Sequence, residues 1–113
     1  MIEAYKPLKD AVEAAGFFTT FQPINRPGDR IVCASEGGTW GLGGRSFWCA
    51  VRQGRWFIAT WTPHIYEIPD ATDVAQLATD VLTNNDRLGY DIDAEIKARF
   101  GLVEMADEQF DAL

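Results

Sequence analysis

The chain of 113 residues has little of the chemistry that metal sites and disulfide scaffolds require. It contains a single histidine, His64, and two cysteines, Cys33 and Cys49, which do not form a Cys-x-x-Cys pair. Both cysteines lie in apolar, strand-like runs, so we expect them to be buried and reduced. We therefore predict no metal site and no cofactor.

Long apolar runs are also absent. The sequence has no run of about 18 apolar residues, so it offers no candidate for a membrane-spanning helix. Its first residues do not combine a basic region with a following apolar stretch, so a secretory signal is not expected. We expect a cytoplasmic protein that does not associate with membranes.

Motifs of catalysis and of phosphate binding are missing as well. The glycine-rich stretch 37–44 lacks the Lys-Ser/Thr ending of a phosphate-binding loop and the spacing of a dinucleotide-binding loop. Nothing near His64 in the sequence would activate it, and the segment around Ser46 lacks the second glycine of a nucleophile elbow. We assign no catalytic residue and rank an enzyme below a binding protein.

The composition is that of a globular protein, and its charge is uneven. Hydrophobic residues make up 47% of the chain and charged residues 24%, and the length suits one domain spanning 1–113. Residues 1–66 carry seven basic and five acidic side chains, whereas residues 67–113 carry three basic and twelve acidic ones. A net charge of −7 repels a phosphate backbone, so nucleic acid is not expected as the main partner.

Hydrophobic periodicity predicts a helix, then four or five strands, then two or three helices. The first helix begins near Tyr5, has its apolar residues at helical spacing, and ends at Gly16. Strands are predicted at 17–24, 30–35, 46–52, 55–62 and 64–68. Later helices follow the N-cap candidates Asp70 and Asp91 or Asp93, with a last turn at 107–113. This order favours an α+β fold, in which an antiparallel sheet of four to five strands carries the N-terminal helix and two to three C-terminal helices.

The clearest hairpin gives residue-level geometry. A two-residue turn at Gln53-Gly54 places Arg52 opposite Arg55, and side chains then alternate between two faces of the sheet. The first face has the composition of a core: Phe47, Cys49, Val51, Trp56, Ile58 and Thr60. The second face combines large aromatic residues with two arginines: Ser46, Trp48, Ala50, Arg52, Arg55, Phe57, Ala59 and Trp61.

The second face has two interpretations. Helices cover it as well, or it binds something outside the molecule. Two arginines directly opposite each other repel, so Arg52 and Arg55 need a compensating anion. The acidic C-terminal third of the chain would supply one internally, and a phosphate, a carboxylate or an acidic partner would supply one externally. Both interpretations stay open at this point.

The glycine-rich loop is the other candidate. Five glycines within residues 36–45 disfavour regular structure, so Trp40 and Arg45 belong to a flap over a ligand or to a long hairpin loop. In the second case Trp40 would pack on the core.

The leading functional hypothesis is a non-enzymatic protein-interaction or regulatory module. The alternative is a small-ligand or anion-binding domain that uses the 37–45 loop and the arginine and tryptophan residues of the hairpin. An enzyme ranks third, and a protein that binds single-stranded nucleic acid ranks fourth. The candidate binding residues are Trp40, Arg45, Trp48, Arg52, Arg55, Phe57 and Trp61.

Overall fold

A computed structural model describes residues 2–23, 29–36, 43–61, 64–85 and 91–113. The strands are β1 (Phe18–Gln22), β2 (Arg30–Glu36), β3 (Gly43–Arg52), β4 (Arg55–Ala59), β5 (Ile65–Ile68) and β6 (Val103–Met105). The helices are α1 (Lys6–Ala14), α2 (Val74–Asn84), α3 (Ala94–Phe100) and α4 (Asp107–Asp111). Short 3-10 turns at Ile2–Tyr5 and Ala71–Asp73 lead into α1 and α2.

The sheet is an antiparallel meander in which each strand pairs with the next along the chain, from β1 to β6. In the central hairpin Arg52 lies opposite Arg55 and Trp48 opposite Ala59, which confirms the predicted register. Gln53 and Gly54 both have positive φ, 55° and 74°, as the tight primed turns of β-hairpins require. The two-face assignment of the central strands therefore holds.

The α+β class and the antiparallel sheet are confirmed, but the strand count is not. The sheet has six strands, whereas the sequence predicted four or five. The additional strand, β6, has three residues, too few to show an alternating pattern. Gly101, with a φ of 65°, ends α3, and the Leu102 amide then donates to the Lys97 carbonyl at 3.0 Å. This cap redirects the chain so that β6 pairs with β5.

The larger core lies between the first face of the sheet and three helices. α1, α2 and α3 pack there, and their apolar side chains close over the inward residues of β2 to β5. The buried helical residues are Leu8, Val12, Val74, Leu77, Ala78, Val81, Leu82 and Ile96. Asp70 helps to start α2, since its carboxylate accepts from the Thr72 amide at 2.9 Å.

A smaller core lies on the second face. The short helix α4 places Phe110 among Val32, Trp48, Phe57 and other inward residues of this face, and Phe110 is only 2% exposed. The predicted last turn, packed through Phe110, is therefore observed. Within the described ranges no helix is long and apolar enough to cross a membrane.

We predict that Cys33 and Cys49 are unreactive in the folded protein. Burial raises the pKa of the Cys33 thiol to about 12, and burial likewise raises the pKa of Cys49 well above its usual value. Cys33 lies opposite Phe47 and Cys49 opposite Ile31, so the two are diagonal neighbours on one face of the sheet, roughly 7–8 Å apart, and both are free cysteines.

A chromogenic thiol reagent at pH 8 should label neither cysteine before unfolding and both after denaturant is added. Rapid labelling of the native protein would contradict this burial. An intact mass two hydrogens below that of the reduced chain would contradict the free thiols.

Candidate binding site on the second sheet face

The second face of the sheet is the side that carries α4. Strand pairing assigns the side chains of all six strands to it, because directly opposite residues share a face. Its residues are Phe18, Thr20, Gln22, Arg30, Val32, Ala34, Ser46, Trp48, Ala50, Arg52, Arg55, Phe57, Ala59, Ile65, Glu67, Val103 and Met105.

The helix α4 covers the central part of this face. The Phe110 ring packs edge-on against Phe57 at 5.1 Å between centroids and lies tilted against Trp48 at 5.7 Å. Phe57 and Trp48 are both buried as a result. One short helix thus covers the centre of this face, and binding at its exposed parts stays a prediction.

Arg52 is an interior side chain whose Nη1 is hydrogen-bonded within the protein, whereas its buried Nε has no hydrogen-bond partner among the described residues. It is 7% exposed, and its Nη1 donates to the carbonyl oxygens of Val51 at 2.7 Å and Asp29 at 2.9 Å. Its guanidinium also lies over the Phe110 ring at 5.2 Å. The Asp29 carboxylate is more distant, at 4.0 Å. The compensating oxygens for Arg52 therefore come mainly from the backbone, not from the acidic C-terminal third of the chain.

Arg55 has the internal partner that the charge distribution suggested. Its Nε and Nη2 donate to the two carboxylate oxygens of Glu67 at 2.9 and 2.7 Å, in a bidentate pair between β4 and β5. This hydrogen bonding lowers the pKa of Glu67. Arg55 is thus paired with a carboxylate within the molecule, whereas Arg52 depends on carbonyl oxygens at Nη1 and keeps an unpartnered Nε.

Arg45, which the sequence assigned to the glycine-rich loop, lies instead in β3 and away from these positions. Arg45 points to the first face, where its Nη2 makes a long hydrogen bond of 3.5 Å to the Val81 carbonyl near the end of α2. A cation near the last carbonyls of a helix is favourable, so Arg45 has a structural use there. Trp40 lies outside the described residues, and the flap over a ligand stays a prediction.

A third arginine on the same face, Arg30, was missed by the sequence analysis. Its guanidinium carbon lies 5.3 Å from the Trp48 ring centroid and 5.1 Å from that of Trp61, so the cation is held against both indoles. Its Nε donates to Gln22 on the neighbouring strand at 2.8 Å. The Trp61 indole is fixed in turn, because its Nε1 donates to the Ser46 hydroxyl at 2.8 Å.

The exposed apolar side chains mark the side of the face that α4 leaves open. Phe18 is 48% exposed and Trp61 is 45% exposed. They belong to one row across the sheet, because Phe18 pairs with Ala34, Ala34 pairs with Ser46, and Ser46 bonds Trp61. Three strand spacings separate the ends of this row, roughly 14 Å. We call Phe18, Arg30 and Trp61 the open patch.

A polar cluster around Tyr66 has a structural role. The Tyr66 hydroxyl donates to Asp91 at 2.6 Å, and Lys97 donates to the same carboxylate at 3.2 Å. Burial and this hydrogen bond raise the pKa of Tyr66, so its hydroxyl is neither a ready base nor a nucleophile. The cluster joins β5 to the start of α3. The described residues contain no group of three or more His, Cys, Asp or Glu side chains placed to hold a metal ion.

Comparisons of the chain with protein-family models, with curated proteins and with solved structures found no match. The function of the open patch is therefore inferred from its own residues.

Charge reversal should change the free energy of unfolding by different amounts at Arg52 and at Arg55. Arg55→Glu is expected to lower the free energy of unfolding slightly, because its pair with Glu67 is partly exposed, and the loss should shrink with added salt. Adding Glu67→Arg should restore stability. Arg52→Glu should cost more, about 3–5 kcal/mol, because a carboxylate would then be buried against two carbonyl oxygens. Urea melts at low and high salt test this, and equal losses for the two variants would contradict it.

His64 should make stability depend weakly on pH. Its Nδ1 lies 2.9 Å from a Glu104 carboxylate oxygen, and this hydrogen bond raises the pKa of His64 in the folded state. The pair therefore stabilises the protein fully below the unfolded-state pKa of about 6.5, and this contribution disappears as pH rises through the folded-state pKa.

Relative to the native chain, His64→Gln should be less stable at pH 5.5 by no more than about 1 kcal/mol, because the pair is exposed. At pH 8.5 the difference between the two proteins should vanish. Urea melts at both pH values measure it. A difference that is larger at pH 8.5 would show that the pair is not the cause.

Proposed function

We propose that this protein is a non-enzymatic protein-interaction module and that the open patch is its contact surface. One observation carries the proposal. α4 covers the sheet around Phe57 and Trp48, yet Phe18 and Trp61 remain about half exposed on the same face, and Trp61 lies against the cation of Arg30. Tryptophan and arginine are the residue types most enriched among the energetically dominant positions of protein interfaces.

The size of the patch suits an anchor within a larger contact. Burying the exposed halves of Phe18 and Trp61 would contribute about 1 kcal/mol each. A stable interface covers roughly 800 Å² on each partner, so the anchor needs a surrounding rim. Thr20 and Gln22 on β1 extend the surface towards the edge of the sheet, and no described strand pairs with the outer side of β1. These polar neighbours supply such a rim.

The alternative is a small-ligand or anion-binding domain. Arg30 favours it, because its terminal nitrogens make no hydrogen bond to the described residues and remain available to an anion. Arg52 and Arg55 support it less, since their hydrogen bonds are already made to the protein's own oxygens. An enzyme has the weakest support, because the buried thiols and the Tyr66 hydroxyl all have raised pKa values.

Site-specific photo-crosslinking tests the interaction. A photoreactive phenylalanine analogue placed at position 18 or 61 should link the protein to one partner in cells of its source. The same group at Gln76, an exposed position on α2, should not give that product. The partner, identified by mass spectrometry, is then purified and its affinity measured.

Trp61→Ala should weaken this affinity at least tenfold, as expected for a dominant interface residue. Val103→Ala is the matched control, because Val103 is 58% exposed on the same face but lies on β6, at the opposite edge of the sheet from β1. It should leave the affinity unchanged. Equal crosslinking from all three positions, or equal losses for the two variants, would contradict the proposed surface.

A further inference from the structure

The structure describes three arginines on the second face, and Arg30 is the one whose terminal nitrogens are both partly accessible and unbonded to the described residues, since the unpartnered Nε of Arg52 is buried. Arg52 donates to two carbonyl oxygens, and Arg55 donates to both oxygens of Glu67. Arg30 uses Nε for the neutral amide of Gln22, and its Nη1 and Nη2 have no hydrogen bond to the described residues. Within the same ranges no carboxylate forms an ion pair with it.

The position of Arg30 prepares it to bind an anion. The rings of Trp48 and Trp61 lie against the guanidinium, and its Nε donates a hydrogen bond to Gln22. Little side-chain freedom remains to be lost on binding, which lowers the entropic cost of the contact. Partial burial also removes water from the cation without supplying a counter-charge, so an incoming anion would restore a favourable interaction.

We infer that Arg30 receives a carboxylate whose neighbouring apolar group packs on Trp61. The inference rests on the proposed function, and it assigns the partner an acidic residue beside an apolar one. The terminal edge of a guanidinium presents two parallel N–H donors, which match the two oxygens of a carboxylate. The indole supplies an apolar surface directly beside these donors.

A carboxylate fits this site better than a phosphate. Phosphate sites gather several donors, and the other two arginines of this face are already bonded internally. The chain also has a net charge of −7, which disfavours the approach of a dianion more than that of a monoanion. A free organic acid and an acidic side chain both present a carboxylate. The experiment below distinguishes these two ligands.

A titration followed by nitrogen-15 NMR tests the inference on the whole chain. The probes are 3-phenylpropionate, its uncharged amide, inorganic phosphate, and a capped peptide with one glutamate between two phenylalanines, together with its glutamine counterpart. The signals observed are the indole N–H of Trp61, assigned with Trp61→Phe, and the Nε–H of Arg30. We expect saturable shifts with 3-phenylpropionate and with the glutamate peptide, and none with the amide or the glutamine peptide.

Two substitutions identify Arg30 as the receptor. Arg30→Gln should abolish the carboxylate-dependent shift of Trp61, and Arg30→Lys should weaken binding roughly tenfold, because an ammonium lacks the paired donors. Arg55→Gln is the matched control on the same face and should bind both carboxylate probes like the native chain. Urea melts of each variant confirm that it folds.

Each remaining outcome bears on the inference. Unchanged binding by Arg30→Gln, or phosphate binding as tight as that of 3-phenylpropionate, would overturn it. Binding of the free acid without the glutamate peptide would overturn the assignment to a protein partner and support a small-ligand site. A crosslinked partner whose affinity is unaffected by Arg30→Gln would overturn this inference and leave the proposed function standing. A carboxylate-dependent shift without any crosslinked partner would support Arg30 as the receptor and count against the interaction module.

Discussion

The turn at Gln53-Gly54 is the constraint on which the rest of the structure depends. Two residues with positive φ set the pairing of β3 with β4, and through it the side of the sheet on which each central side chain lies. A slip of one residue would move Trp48 and Phe57 into the helix-covered core and turn Cys49 and Ile58 outward. The covered centre and the open side of the second face both follow from this register.

The arginines described on the second face have different roles, because they differ in burial and in hydrogen-bond partners. Arg52 is nearly inaccessible, and its hydrogen bonds to carbonyl oxygens tie the hairpin to the segment before β2. Arg55 links β4 to β5 through a carboxylate. Arg30 is only partly buried, and its described neighbours are aromatic rings and a neutral amide, none of which carries a compensating charge. The three arginines thus differ in role because the groups around each side chain differ.

Much of the fold followed from the sequence because its signals were local. The glycine of the hairpin turn, the alternation of β3 and β4, and the apolar spacing of α1 and α2 each reflect neighbours a few residues apart. β6 could not be found in this way, since three residues are too few to establish a period, whereas α4 was predicted as a last turn at 107–113. Both are stabilised by tertiary contacts, such as that of Phe110 with Trp48.

The candidate site was only partly accessible to the same reasoning. Trp48, Phe57 and Trp61 were correctly placed together, because one hairpin contains all three positions or leads directly to them. The burial of Trp48 and Phe57 was not predictable, because it depends on Phe110 of α4, which is distant in sequence. Arg30 could be placed beside Trp48 only by knowing how β2 pairs with β3. The glycine-rich connection between these strands does not reveal that register from the sequence. The hydrogen bond of Arg52 to the Asp29 carbonyl likewise joins segments that are separated in sequence.

The helix α4 has a consequence for the solubility of the protein. It is five residues long, and Phe110 provides its principal contact with the sheet. Without this cover, Trp48, Phe57 and Ile65 would be exposed on the same face as Phe18 and Trp61, next to the edge of β1 with which no described strand pairs. Broad apolar surfaces beside free strand edges are what drive proteins to aggregate. A single phenylalanine near the end of the chain thus keeps the sheet from adhering to other copies of itself.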